Sequence, residues 1–347
     1  MLTLDEIFKL AANKKSSDVH LTAGQPVVFR VDGALAKQTE WAVLSEKQIR
    51  DLVEPILSEP VKERLKEEKE ADFSYEIEKG IRFRINLFLQ RGSLSLAARI
   101  VWPNIPSLGE IRAQPVIYDA LKLKQGLILV TGPTGCGKST TLAAMVDWLD
   151  RHYPYHIITL EDPIEFSFKS HKSLITQREL GRDFVSFEQA LRHIVRQDPN
   201  VIMVGEMRDL ETISLVTTLA ETGHLILATL HTPNAAQTID RIVDVFPPYQ
   251  QTQIRLQLAL TLRAIIAQQL VPRISGGRIA VREILINTPA VSTMIRENKV
   301  AGIPNVIQTG VKDGMQTMDQ DLLRLYQEKQ ISLETARSFA SYPEMIA

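Results

Sequence analysis

The sequence predicts an α/β protein of two domains, a small α+β domain followed by a larger one built on a parallel sheet. Three observations predict it. From about residue 114 onward, apolar strand-like runs at 127–131, 156–160, 201–205 and 225–230 alternate with helix-like stretches, the pattern of a parallel sheet covered by helices. Residues 132–139 read Gly-Pro-Thr-Gly-Cys-Gly-Lys-Ser, a phosphate-binding loop set between the apolar run Leu127-Ile128-Leu129-Val130 and a helix-like stretch from Thr140 to Asp150. The segment from Trp102 to Ser107 has two prolines and little periodicity, which suits a linker.

In order along the chain, Thr3 to Ala12 has the spacing of an amphipathic helix, and Val27 to Val31 that of a strand. Arg82 to Gln90 and Ser93 to Val101 read as two strands joined by a turn at Arg91-Gly92. Lys62 to Lys69 is highly charged and reads as a solvated helix face. The boundaries that follow are residues 1–102 for the first domain, 103–113 for the linker and 114–347 for the second domain, whose tail from about 289 reads as helices. The apolar stretch Leu256 to Val271 is interrupted by Arg263 and several glutamines, so a buried helix is expected there rather than a membrane span.

At 347 residues the chain can bury a core in each domain, and its net charge of −1 gives no global field for nucleic acid or acidic lipid. Cys136 is the single cysteine, which excludes an internal disulfide and a multi-cysteine zinc site within one chain and fits a reducing, cytoplasmic setting. Met1 to Ala12 carries Asp5 and Glu6 and lacks the basic start and apolar core of a signal peptide, so any membrane association is expected to be peripheral.

The loop carries the most specific chemistry. A chance match to G-x-x-x-x-G-K-[ST] in a chain of this size is of order one in a hundred. Gly132, Gly135 and Gly137 let backbone amides turn inward around phosphates, with Pro133, Thr134 and Cys136 between them. The following helix points its positive end at the same place. Lys138 reaches the β- and γ-phosphates, Ser139 offers a hydroxyl to Mg²⁺, and Thr140 completes the turn. The expected ligands are ATP and Mg²⁺.

Further polar groups fall at the predicted strand ends. Glu161, Asp162 and Glu165 follow the strand at 156–160, and Glu206, Arg208 and Asp209 follow the one at 201–205. A carboxylate there suits Mg²⁺ held through water, or the orientation of an attacking water. His224 and His231 bracket the strand at 225–230, where an imidazole could donate to a γ-phosphate. Plainer roles exist: Asp162-Pro163 fits a simple turn, and Asp209 fits a cap on the helix that follows. In the first domain Arg84 and Arg99 lie on adjacent predicted strands, as surface charge or as charge compensation at a nucleotide, where an arginine finger is worth roughly 10³–10⁵ in rate.

Assembled, these residues resemble the type IV pilus retraction ATPases, the PilT/PilU branch of the type II/IV secretion ATPase superfamily. Ser17-Asp18-Val19-His20-Leu21 with Val31-Asp32-Gly33 is similar to the family's opening. Thr159 to Glu165 is similar to its aspartate box, Val201 to Asp209 to its modified Walker B, and Glu221 to His224 through Thr229 to Thr232 to its histidine box. The resemblance implies a homohexameric ring of subunits, each with a PAS-like N-terminal domain and a RecA-like ATPase domain. It implies Glu165 as candidate catalytic carboxylate, Glu206 on the metal or its water, His231 as γ-phosphate sensor, and Arg84 and Arg99 as arginines at the nucleotide. Whether Glu165 or Glu206 polarises the water stays open. The partners implied are an inner-membrane pilus platform protein and, as a further candidate, a second retraction ATPase, placing the ring at the cytoplasmic face of the inner membrane. No nucleic-acid partner is expected.

Two features depart from the family pattern. Cys136 stands where serine is common, and Ala290 to Glu297 carries Ser292-Thr293 where the family's retraction motif has Arg-Asn. Gln268 to Pro272 is similar to the accessory PilU group and Ile307 to Gly310 to the PilT group, leaving the branch open. The competing functions are an accessory nucleotide-binding subunit with little turnover and a nucleic-acid motor on the same core; the neutral charge and the aromatic content of 6% speak against the latter.

Overall fold

The computed structural model describes residues 3–31, 34–77, 81–101 and 105–346. They form two compact units, Met1–Asn104 with Pro163–Ser167, and Ile105–Asp162 with Phe168–Ala347. The expected motif residues Asp32-Gly33, residue 102 at the end of the expected first domain and residues 103–104 at the start of the expected linker lie outside the described residues.

The first unit is an antiparallel sheet of six strands, β1 (Asp18–Leu21), β2 (Val28–Val31), β3 (Ala34–Lys37), β4 (Glu70–Ile77), β5 (Ile81–Gln90) and β6 (Ser93–Val101), in the order β3-β2-β1-β6-β5-β4. The helix Leu4–Asn13 begins with a reciprocal capping box between Thr3 and Glu6 and buries Leu4, Ile7, Phe8 and Ala11 along one stripe. Phe8 stacks on Phe83 at 3.9 Å between ring centroids, fixing the helix to the sheet. The β5–β6 turn falls at Arg91-Gly92, with φ of 52° and 81°, the left-handed pair that a two-residue hairpin loop needs to match strand twist. Alternation then decides the faces: Phe83, Ile85 and Leu87 enter the core while Arg84 and Arg99 stay exposed on the other side.

The second unit holds seven strands, β7 (Gly126–Thr131), β8 (His156–Glu161), β9 (Leu174–Glu179), β10 (Val201–Val204), β11 (Leu225–Leu230), β12 (Leu262–Pro272) and β13 (Arg278–Ile286), in the order β13-β12-β7-β11-β10-β8-β9. All neighbours are parallel except β12 and β13. The central strands β7, β10 and β11 are buried throughout, because helices cover both faces. Leu127, Leu129, Ile226 and Ala228 pack on one side and Ile128, Val130, Leu225 and Leu227 on the other, so successive residues feed two separate cores. The helices from Pro289 onward cover the antiparallel end, where Leu322, Leu325 and Ile331 pack on Val271, Ile279 and Val281.

Two expectations change. The apolar stretch 256–271 is not one buried helix: the helix Pro248–Thr261 stops and β12 begins at Leu262, pairing with β7. A run such as Leu-Arg-Ala-Ile-Ile-Ala has no period that separates strand from helix, and a vacant sheet edge beside β7 decides the matter. Strands β9 and β13 were likewise not anticipated. The later part of the expected linker folds onto the second unit, where Leu108 is buried in its core and Arg282 donates to the carbonyls of Ile111 and Arg112. Among the described residues no helix is long and apolar enough to cross a membrane.

Candidate functional site

Strand β7 ends at Thr131 and delivers the loop 132–137 to the start of the helix Lys138–His152. Gly132 has φ 138°, and a Cβ there would sit 2.3 Å from the main-chain oxygen of Gln268 on β12 and 2.7 Å from Cys136 Sγ, so no side chain fits. Among the described residues, this is the one α-helix with neither a side-chain cap nor a proline in its first turn, and no acidic residue stands there. Its first amides and its positive dipole end are left to a ligand, and an anion fits them. Pro133, Thr134 and Gly135 are exposed at the tip; Ser139 and Thr140 are half-buried in the first turn. Lys138 is buried, its ammonium donating to the carbonyls of Gly132 at 2.8 Å and Pro133 at 3.1 Å.

The third contact of that ammonium is His231 Nδ1, at 3.3 Å. Lysine has only donors, so Nδ1 accepts, and the neutral ring then carries its proton on Nε2, which faces Glu206 Oε1 at 3.2 Å. The other oxygen of Glu206 meets Arg208 at 2.8 Å. Lys138, His231, Glu206 and Arg208 thus form one line across the carboxyl ends of β7, β11 and β10, adjacent in the sheet but distant in sequence. Burial pushes the Glu206 carboxyl upward, but its bond to Arg208, the Arg208 charge and the hydrogen bond from His231 outweigh this and hold it below the ordinary glutamate value. The loop ends are fastened by the backbone: Met207 N donates to Thr229 O at 3.1 Å, and the Thr229 hydroxyl donates to the Gly205 carbonyl.

Other expected residues make contacts of their own. Glu161 is buried and accepts from Thr159 Oγ1 at 2.7 Å and Gln177 Nε2 at 3.0 Å, a structural role inside the sheet. Glu165 is exposed on Pro163–Ser167, the segment that packs with the first unit. Asp209 caps the helix Leu210–Glu221 by accepting from Thr212 N at 2.7 Å, the plainer of its two roles. His224 does not share the loop's side of the sheet. It precedes β11, its carbonyl accepts from Gly126 N at the start of β7, and its ring faces the Leu219 carbonyl at 3.1 Å. A six-residue strand of about 20 Å divides it from His231.

In the first unit Arg84 and Arg99 are direct cross-strand partners, and Asp18 pairs with Arg99 on the other side. Two like charges opposed on a sheet are unfavourable. Asp18 offsets part of this: buried between two arginines, it accepts from Arg99 Nε at 2.8 Å and lies 3.7 Å from Arg30. In the sequence Asp18 is only a motif letter, because its partners Arg30 and Arg99 lie on other strands, whereas Arg208 pairs with Glu206 two residues away.

The whole chain can be placed among known proteins. The model of the type II/IV secretion system protein family matches residues 1–335. The chain is 45% identical over 343 residues to the type IV pilus retraction ATPase PilT of Pseudomonas aeruginosa, covering 99% of each. It is 39% identical to the type IV pilus ATPase PilU of the same organism, over 98% of this chain and 89% of that protein. Among solved structures, the pilus retraction motor PilT with bound ADP superposes with a TM-score of 0.93 at 44% identity over 99% of both chains, and the Legionella pneumophila ATPase DotB with 0.82 at 29% identity over 97% of this chain and 95% of that one.

Proposed function

The chain belongs to the type II/IV secretion system protein family, and we propose that within it the protein is the ATPase motor of type IV pilus retraction. It hydrolyses ATP and couples the reaction to disassembly of pilin subunits from the fibre base. The observation that most supports this reading is the line Lys138–His231–Glu206 beside an uncapped helix start, in a chain that matches a retraction motor over its full length.

In this reading the amides of 132–137 and the Lys138 ammonium hold the β- and γ-phosphates. Ser139 and Glu206 would hold Mg²⁺, directly or through water, and the ion would neutralise charge developing on the phosphates. A carboxylate, Glu165 or Glu206, orients the water whose oxygen bonds to the γ-phosphorus as the β–γ bridging P–O bond breaks. Glu206 suits either task, since it is held ionised by Arg208 and His231. When phosphate claims the Lys138 ammonium, His231 loses its contact at Nδ1, so loop occupancy reaches Glu206 through one imidazole. Arg84 and Arg99 would come from a neighbouring subunit of a homohexamer, with residues 1–102 as the PAS-like domain and 114–347 as the RecA-like domain. The ring would act at the cytoplasmic face of the inner membrane on a platform protein, with a second retraction ATPase as a further partner.

A second reading, an accessory subunit with little turnover, draws on Ser292 and Thr293, whose hydroxyls are turned onto the carbonyls of Ala259 and Pro289. Phosphate release by purified protein separates the two. Piliation of a deletion strain tests the direction of the motor: excess non-retracting pili are expected, and bald cells would assign extension instead.

A further inference from the structure

Gln268 lies where packing alone would ask for an apolar residue. It follows Ala267, the register partner of Thr131, and so stands abreast of the first glycine of the loop. It is 1% exposed. Its side-chain Nε2 donates to the Cys136 carbonyl at 2.8 Å, its Oε1 accepts from Thr141 Oγ1 at 2.9 Å, and its main-chain oxygen is the atom that leaves no room for a Cβ on Gly132. One residue of the neighbouring strand therefore touches the beginning of the loop, its last turn and the first turn of the helix.

We propose that Gln268 is a positioning residue for nucleotide binding, aiming a backbone amide of the loop at the phosphates. The proposal rests on the reading of residues 132–139 as a phosphate cradle. In a trans peptide the C=O and the N–H point in opposite directions. Holding the Cys136 carbonyl against β12 therefore turns the Gly137 N–H away from that strand and into the loop. Thr141 fixes the sense of the amide. Were the glutamine flipped, its oxygen would face the Cys136 carbonyl, two acceptors in contact, whereas the hydroxyl of Thr141 donates to Oε1 as placed. A buried amide is costly unless both ends are bonded, and here both are. The loop of an isolated sequence motif has no such guide.

The test is binding of a fluorescent N-methylanthraniloyl ADP and steady-state ATP turnover by the full chain, with Gln268→Met, Gln268→Glu and Thr141→Val. Gln268→Met keeps length and burial but has no donor. Gln268→Glu is isosteric and acceptor-only. Each is expected to weaken the ADP probe about tenfold or more, as loss of an aimed hydrogen bond to a charged ligand does, and Thr141→Val about threefold. KM for ATP should rise in step, with kcat within about threefold, because the amide holds phosphate in the ground and transition states alike. Gln269→Glu, one position on and on the opposite face of β12, should match the wild type. A Gln268→Met protein that melts normally and binds the probe within about twofold of wild type overturns the proposal, as does a fall in kcat with unchanged affinity. If neither glutamine variant folds, Thr141→Val decides alone, and unchanged affinity there refutes it. Lys138→Ala serves as the separate control: if it too keeps full affinity, the reading of the loop itself has failed.

Discussion

Replacing Glu206 by glutamine should separate binding from chemistry. The carboxylate holds Arg208 and His231, and His231 in turn joins it to Lys138, at 3.2 and 3.3 Å. The loop is shaped by Gly132, by Gln268 and by the helix start, none of which the substitution alters. Nucleotide affinity should therefore stay within about threefold of wild type. Turnover should not. A carboxamide of the same shape keeps one acceptor for Arg208 or His231 but presents an NH₂ to the other, and it cannot take a proton from water. Loss of a general base or water-orienting group costs about 10²–10⁴ in rate, roughly 3–5.5 kcal/mol of barrier. Stability should fall by about 1 kcal/mol or less, since Arg208 is mostly exposed and its pairing is screened. The assay is phosphate release at saturating ATP beside probe binding and thermal melting. Because Glu206 and His231 share one line, Glu206→Gln with His231→Ala should cost little more than the worse single variant. Turnover within about threefold of wild type in Glu206→Gln would remove this carboxylate from the mechanism, and a parallel loss of affinity would show that it shapes the loop instead.

Three further outcomes are expected. Asp321, fully buried, accepts two bonds from Arg324 at 2.7 and 2.9 Å and one from Arg282 N at 2.8 Å, while burial pushes the Arg282 guanidinium down to about 10; Asp321→Ala should cost about 3–5 kcal/mol in urea unfolding, because the buried Arg282 loses its nearby counter-charge and the half-buried Arg324 one of its two carboxylates. Asp150 should make the fold acid-sensitive: burial raises its carboxyl, but bonds from His171 and Ser173 outweigh this and hold it below its ordinary 3.8, so its stabilisation is present above that value and is lost as pH falls through the lower folded one. The stability gap between wild type and Asp150→Asn should shrink from about pH 5 to about pH 3, and a constant gap would contradict the assignment. Mixing Arg99→Ala with Lys138→Ala protein should restore some ATPase activity if Arg99 serves a neighbouring subunit, whereas demonstrated mixed rings without recovery would place Arg99 in its own chain or outside the reaction.

The parts legible in the sequence share a local cause. Strands β7, β10 and β11 are short apolar runs because both their faces are buried, and a run of that kind needs no knowledge of its neighbours. The hairpin at Arg91-Gly92 and the helix spacing of Thr3 to Ala12 are likewise written within a few residues. What was misread depends on distant partners. The stretch 262–271 becomes a strand because the edge of β7 accepts it. His224 and His231 bracket one strand, and the parallel pairing of β11 with β7 decides that the His231 end is the one beside the phosphate loop.

The amino-acid order by itself determined the phosphate loop, the alternating strands that deliver it and the family to which the chain belongs, since loop stereochemistry and burial periodicity act over a few residues. Only the tertiary structure decided that Glu206, rather than Glu161 or His224, joins Lys138 through His231, and that a glutamine of a strand some 130 residues later guides the loop. Those choices follow from the order of strands in the sheet, a long-range property fixed by which edges and faces can be buried together.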